Sequence, residues 1–259
     1  MNPILIELDW GDLLWTLGLL GAAIALSAWQ RLGLTGQLFW AGGRTLLQLL
    51  VVGYFLAVVF ALNNPGAVLL VLAIMTSIAA IVAKNRIETR GNLLPWLWLT
   101  IASSTALTLS YSLAVIIQPP SWYSPQYLIP LAGMVLGNSM NSASLVGERL
   151  VSLLQHNPQE IETYLSLGAS PQQAIATYRN AAIRAGLMPT LNQMMVVGIV
   201  SLPGMFTGQV LAGSDPLNAA SYQILILLMI LLTNLLTALW VSEGVYRQFF
   251  NAQWQLVGK

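Results

Sequence analysis

Residues 65–83 read PGAVLLVLAIMTSIAAIVA, an unbroken run without a charged side chain. A membrane-spanning helix needs about 20 mostly apolar residues, so this stretch predicts one span. The whole chain has the same character: 56% of its 259 residues are hydrophobic, 7% are charged and the mean hydropathy is +0.71. A soluble domain has about 25% charged residues. The composition excludes an ordinary soluble globule, a disordered chain and a coiled coil, and predicts an all-α, polytopic transmembrane helical bundle.

Further apolar stretches of similar length follow one another along the chain. Pro65 follows Asn63-Asn64 and Pro95 follows Asn92, patterns that are typical of helix starts. We expect about seven spans, which together form a single transmembrane domain over residues 1–259. Their approximate limits are 11–30, 38–61, 65–83, 93–117, 127–151, 187–212 and 219–247.

The positions of the basic residues predict the orientation, because cytoplasmic loops of membrane proteins carry an excess of Lys and Arg. With the N-terminus outside, every basic residue except Arg44 lies on the cytoplasmic side, whereas Arg44 falls within the second span. The basic residues on that side are Arg31, Lys84, Arg86, Arg90, Arg149, Arg179, Arg184, Arg247 and Lys259. The external segments hold only acidic charges: Glu7, Asp9, Asp12 and Asp215. We therefore expect an N-out, C-in topology.

Several functional classes are excluded by what the sequence lacks. The net charge of +1 provides no basic surface for nucleic acid. Without Cys there is no disulfide framework and no thiolate metal site, and His156 is the only His. The chain also lacks the G-x-x-x-x-G-K-[ST] loop of nucleotide hydrolases. We expect that the chain is not an enzyme and binds no cofactor of its own.

Polar side chains interrupt the second and fifth predicted spans. In the second, Arg44 and Gln48 lie one turn apart on one helical face. Polar groups are costly in the membrane and usually face the bundle interior or a water-filled path. Interhelical packing and the lining of a translocation path would both explain such a pattern, and the sequence leaves both open. The candidates for pathway or gating roles are Arg44, Gln48, Asn138, Asn141, Ser144 and Glu148.

Arg44 and Glu148 should lie at similar depth, both towards the cytoplasm. Because a buried charge without a partner is strongly unfavourable, we hypothesise an ion pair or shared hydrogen-bond network between the second and fifth helices. In the sixth span, Gly204 and Gly208 form part of a small-residue edge, and Pro203-Gly204 predicts a kink.

The longest segment outside the predicted spans, residues 152–186, has a helix-break-helix pattern. A short helix is expected at about 160–165, a break at Leu167-Gly168-Ala169-Ser170-Pro171 and a second helix at 172–184. This cytoplasmic loop is either a docking surface or a capped surface hairpin. The remaining functional classes are a permease, a membrane sensor or scaffold that recruits a soluble partner, and, third, an ion-coupled secondary transporter.

Several motifs together carry a family resemblance. The most specific are GRTLLQL at 43–49, PLAGMVLGNSMN at 130–141, LGASP at 167–171, AGLMPTLN at 185–192 and LPGMFTG at 202–208. The chain resembles the FetB/YbbM-type permeases of ATP-binding cassette transporters, a family that also contains plant aluminium-sensitivity permeases. The resemblance implies a homodimer in the plasma (inner) membrane, bound to two separate ATPase subunits that supply the ATP and Mg. Bacterial members imply iron export, and plant relatives imply aluminium tolerance.

The 152–186 loop is similar to the coupling loop of bacterial ATP-driven permeases, whose pattern begins E-A-A-x-x-x-G. Glu162 and Gly168 match the Glu and the Gly, whereas Thr163 and Tyr164 replace the two Ala. The resemblance implies contact with the ATPase subunit at Glu160, Glu162, Gly168, Ala169 and Ser170. A metal path would have to use oxygen donors and Met sulfur, and the sequence assigns no metal ligand.

Overall fold

The protein is described by a computed structural model that covers residues 9–89, 91–251 and 253–257. Glu7, Arg90 and Lys259, which enter the prediction of orientation, lie outside these described residues. The chain forms two compact units. One comprises the residues up to Asn63 together with Leu211–Gly213, and the other comprises the rest.

The first unit holds helix α1 (Trp10–Trp29) and helix α2 (Thr35–Leu62), which pack against each other. The second unit contains the remaining helices, apart from Leu211, the last residue of helix Gly204–Leu211, which belongs to the first unit. These are α3 (Pro65–Arg86), α4 (Leu94–Tyr111, continued by a π-helical segment Ser112–Ile117), α5 (Pro125–His156), α6 (Pro158–Ser166), α7 (Pro171–Ala174), α8 (Ala176–Val196), α9 (Gly204–Leu211) and α10 (Pro216–Phe249).

Four helices in the described part of the chain are long and apolar enough to cross a membrane. They are Thr35–Leu62, Pro65–Arg86, Leu94–Ile117 and Pro216–Phe249. The prediction of an all-α, polytopic membrane bundle is confirmed. The count of about seven spans, the N-out orientation and the single transmembrane domain stay predictions.

Asparagine side chains start two of these helices, as the sequence predicts. Asn64 Oδ1 accepts a hydrogen bond from the Gly66 amide over 2.7 Å, and Pro65 occupies the first turn of α3. Asn92 Oδ1 accepts from the Leu94 amide over 3.2 Å at the start of α4. The caps satisfy amides that have no partner within the helix.

The core of the second unit is built around α5 and α10, which pack against each other and both against α4 and α8. Hydroxyl groups join these helices. Thr237 shares hydrogen bonds of 2.9 Å with Ser104 of α4 and with Ser139 of α5. Asn234 donates to Thr190 of α8 over 2.7 Å. Such contacts give helices specific partners where apolar side chains alone would not.

The prediction of one kinked helix over 187–212 is wrong. Helix α8 begins earlier and ends at Val196, residues 197–203 are not helical, and α9 begins at Gly204. Gly198 has a φ of +79°, and its amide donates to Ser201 O over 2.9 Å. This left-handed turn, followed by Pro203 without an N–H, ends the helix instead of kinking it.

Candidate functional site

The predicted helix-break-helix between α5 and α8 is confirmed, and its break has a clear cause. Gly168 has a φ of +89°, which reverses the chain after α6. Ser170 then caps α7, because its Oγ accepts from the Gln173 amide over 3.3 Å and its amide donates to Gln173 Oε1 over 2.9 Å. Ile161, which is fully buried, anchors α6. The second helix extends further than predicted, since α8 continues from Ala176 to Val196.

A side-chain contact across the break joins α6 to α8. The Tyr178 hydroxyl donates to Glu160 Oε2 over 2.6 Å. Burial and, secondly, this bond to a carboxylate raise the pKa of Tyr178 to about 12. The sequence analysis proposed Glu160 as a contact residue, but it missed Tyr178, because no pattern links residues that far apart in sequence.

A second contact connects the segment after the break to α10. Arg179 Nε donates to Ser242 Oγ over 2.9 Å, and its Nη2 donates to the Leu239 carbonyl over 3.4 Å. Ser242 is fully buried. In the sequence, Arg179 served only as evidence for orientation. In the structure it connects the start of α8 with the C-terminal half of α10.

The proposed ATPase contacts differ in exposure. Glu160, Glu162 and Gly168 are exposed, whereas Ala169 and Ser170 are half-buried. Leu167, immediately before the break, is 80% exposed. We call five of the exposed residues of this loop the coupling surface: Glu160, Glu162, Tyr164, Leu167 and Gly168.

The polar residues of α5 fall on different faces. Ser144 is buried, and its hydroxyl donates to the Met140 carbonyl of the same helix. Asn138 is half-buried and donates to Met134 O over 2.8 Å. Asn141 and Glu148 are exposed. A pathway or gating role for Asn138, Asn141, Ser144 and Glu148 stays a prediction.

Asn141 and Glu148 belong to a longer stripe on α5, in which Tyr127 is also exposed and Met134 is half-buried. Tyr127, Met134, Asn141 and Glu148 follow one another at intervals of seven residues, which places them on one face of α5. We call these four residues the open face of α5. The rise from Tyr127 to Glu148 is about 32 Å at about 1.5 Å per residue. That length matches a hydrocarbon layer of about 30 Å, so the open face is long enough to cross it.

The predicted polar residues of the second span lie on α2, in the other unit. Arg44 and Gln48 are exposed along this helix, of which only Val59 is buried. Arg44 and Glu148 belong to different units. Their pairing, and a pathway role for Arg44 and Gln48, stay predictions.

No group of three or more His, Cys, Asp or Glu side chains that could hold a metal ion occurs among the described residues. A tight resident metal site of the usual kind requires such a group.

Residues 10–250 match the family described as Uncharacterised protein family (UPF0014). The chain is 70% identical to the UPF0014 membrane protein slr1647 of Synechocystis over 99% of this chain and 100% of the relative. It is 35% identical to the Probable iron export permease protein FetB of Escherichia coli, covering 91% of this chain and 90% of FetB.

A plant relative is the Protein ALUMINUM SENSITIVE 3 of Arabidopsis thaliana, with 31% identity over 90% of this chain and 85% of that protein. No solved structure matches the chain. The resemblance drawn from the sequence motifs is confirmed, and the chain belongs to the UPF0014 family of membrane proteins.

Proposed function

We propose that the chain is the permease subunit of an ATP-binding cassette transporter that exports metal ions, with iron as the first candidate. It would act as a homodimer in the plasma (inner) membrane, and a separate cytoplasmic ATPase would bind the ATP and Mg. The main support for this proposal is the coupling surface. An ATPase without a membrane anchor needs a structured surface on the permease to which it can bind.

Short connections and side-chain contacts join the loop to the long helices on either side of it. A single residue, Asn157, separates α6 from α5, and Ile175 alone separates α7 from α8. Ile161 is buried, so displacement of α6 displaces the core that it contacts. Arg179 extends the same connection to α10 through Ser242. A push on the coupling surface therefore reaches α5, α8 and α10.

The route for the substrate follows the open face of α5. Asn141 and Glu148 provide amide and carboxylate oxygen atoms on a face that this chain leaves uncovered. In a homodimer, that face would line a path whose two ends open alternately. The relative FetB is named a probable iron export permease, which supports iron as the first substrate to test.

Binding of the ATPase subunit tests the proposal. Leu167→Ala removes the exposed apolar side chain from the coupling surface, and we expect about tenfold weaker binding, typical of an interface anchor. Leu217→Ala is the matched control, because Leu217 is 79% exposed but lies at the start of α10, away from the loop. Equal binding by both variants contradicts the assigned surface. If the wild-type chain binds no ATPase, the sensor or scaffold function takes first place.

A further inference from the structure

An open cavity of about 550 Å³ lies at the end of the second unit that is opposite the coupling surface. Helix α5 begins at this end and reaches the coupling surface only beyond its last residue, His156. The first turns of α3 and the last turns of α4 form the other walls. We call this space the apolar groove. Its apolar side chains include Leu69, Leu72, Ala106, Leu109, Leu113 and Leu128.

The apolar groove is about as deep as one leaflet of a membrane. It lies between Pro65–Arg86 and Leu94–Ile117, two helices that are long and apolar enough to cross a membrane. Its lining extends from Gln118, just past the second of these helices, back to Ala106. Twelve residues of helix rise about 18 Å at about 1.5 Å per residue. One leaflet of a hydrocarbon layer of about 30 Å is about 15 Å thick.

Polar and aromatic side chains lie at the shallow end of the apolar groove. Trp122 lines this end and is exposed, and its ring packs edge-on against Tyr123 with 5.6 Å between the ring centroids. Trp and Tyr side chains are enriched at the level of the lipid headgroups. Gln118 also lines this end, and its Nε2 donates to the Val115 carbonyl over 3.4 Å. The groove therefore opens at headgroup level and extends from there into the hydrocarbon layer.

The lining favours hydrocarbon over water or an ion as the occupant. An ordered water needs about 2–4 polar partners, whereas below its shallow end the groove offers one side-chain polar group, the Ser110 hydroxyl. None of the described residues that line the groove is charged. An empty groove would leave its lining without van der Waals contacts. A lipid acyl chain is thin, flexible and apolar, and the membrane supplies it at high concentration.

The shape of the groove depends on small side chains and on the π-helical segment. In Ser112–Ile117 the backbone bonds join residues five apart, and the last of them runs from the Gln118 amide to the Leu113 carbonyl over 3.0 Å. Such π-helical turns are rare and occur frequently at functional sites. Ala106 and Ala114 line the groove and are exposed, so they leave room between the larger side chains.

We infer that the apolar groove binds an acyl chain of a membrane lipid from the leaflet opposite the coupling surface, with the headgroup beside Gln118 and Trp122. The groove has walls from three helices, so it surrounds this chain more closely than a flat helix surface surrounds other lipids. Headgroup charge has little influence, because the lining carries no charge. The inference requires only that the chain is a membrane protein, and it is independent of the proposed transport function.

The test uses the purified full chain in detergent, titrated with a phosphatidylcholine that carries a photoreactive diazirine in one acyl chain. We expect cross-links that saturate and that map to residues 69–72 and 106–114. Ala114→Trp places an indole in the groove, and the saturable cross-links should be lost. Ala73→Trp is the matched control, because Ala73 is also an exposed alanine of a spanning helix but does not line the groove.

Thermal unfolding separates loss of binding from misfolding. Added phosphatidylcholine without the diazirine should raise the unfolding temperature of the wild type, because a ligand that binds the folded state stabilises it. Without lipid, Ala114→Trp should unfold at about the wild-type temperature, since the replaced side chain is exposed. We expect a smaller lipid-dependent rise in Ala114→Trp than in the wild type, and a full rise in Ala73→Trp.

Three results would overturn the inference. Cross-links that do not saturate, or that spread over all spanning helices without preference, would mean that the groove meets bulk lipid only. Equal cross-linking and equal rises in unfolding temperature for Ala114→Trp and Ala73→Trp would mean that the lipid binds elsewhere. Cross-links between groove residues and a second copy of the chain would mean that protein fills the groove. Binding of an ATPase and transport of iron enter none of these measurements, so the proposed function can fail while this inference stands.

Discussion

Tyr178 donates its hydroxyl hydrogen to Glu160 Oε2 over 2.6 Å, and this contact joins the helix before the break in the loop to the helix after it. Glu160 belongs to the coupling surface, whereas Tyr178 lies one residue before Arg179, which contacts α10. A displacement applied at α6 thus has a short path through side chains into the core of the second unit.

The Tyr178–Glu160 contact should depend on pH. The pKa of Tyr178 is raised from 10.0 to about 12, so the contribution of the neutral phenol to stability is complete below about pH 10 and is lost as pH rises through about 12. Glu160→Gln should lower that pKa without restoring it to 10.0, because burial is the larger cause. Ultraviolet titration of tyrosine ionisation measures both, with Tyr178→Phe identifying the signal. An unchanged titration in Glu160→Gln would refute the contact.

Replacement of Arg179 should loosen the connection between the loop and α10. Arg179→Lys cannot make both hydrogen bonds, because Lys lacks the planar fork of Arg. We expect a loss of about 1.5 kcal/mol in local stability, seen as about tenfold faster amide hydrogen exchange in residues 176–182. Arg184→Lys is the control, because Arg184 is exposed and makes no hydrogen bond or ion pair with the described residues. Similar exchange in the two variants would show that the Arg179 contacts carry no such coupling.

Helix α8 lies so close to α5 at Gly186 that a side chain should not fit at this position. A Cβ there would overlap the Val146 side chain and lie 3.3 Å from the Ser142 carbonyl. Gly186→Ala should therefore destabilise the protein by about 1–3 kcal/mol, which thermal unfolding in detergent measures. Gly208→Ala should be neutral or slightly stabilising, because nothing lies within 4 Å of its Cβ position. An equal change in stability for the two Gly→Ala variants would contradict the close packing of α8 against α5.

Apolar runs predicted most of the helices, because hydropathy and capping act locally. The first predicted span, 11–30, corresponds to α1 at Trp10–Trp29, and Asn64 caps α3 as expected. The prediction of one continuous helix for the sixth span was wrong for a reason that a hydropathy pattern does not show. Residues 197–203 are as apolar as a helix, but the positive φ of Gly198 and the missing N–H of Pro203 end it.

The site was predictable only where residues lie close in sequence. The pattern at Gly168 and Ser170 predicted the break, because turns and caps depend on near neighbours. The contacts Tyr178–Glu160 and Arg179–Ser242 join residues that are distant in sequence, and only the packed structure brings them together.

ATP-driven iron movement across vesicle membranes is the most direct test of this chain as a permease subunit. Vesicles would hold the wild-type chain or Gly168→Trp, each supplied with the ATPase subunit, Mg-ATP and Fe²⁺. Gly168 has a φ of +89°, so Trp at this position is strained and distorts the break of the coupling loop. We predict Fe²⁺ flux that requires ATP in the wild type and is lost in Gly168→Trp. Flux that is no greater with ATP than without it, in vesicles that contain the wild-type complex, would contradict the proposed function.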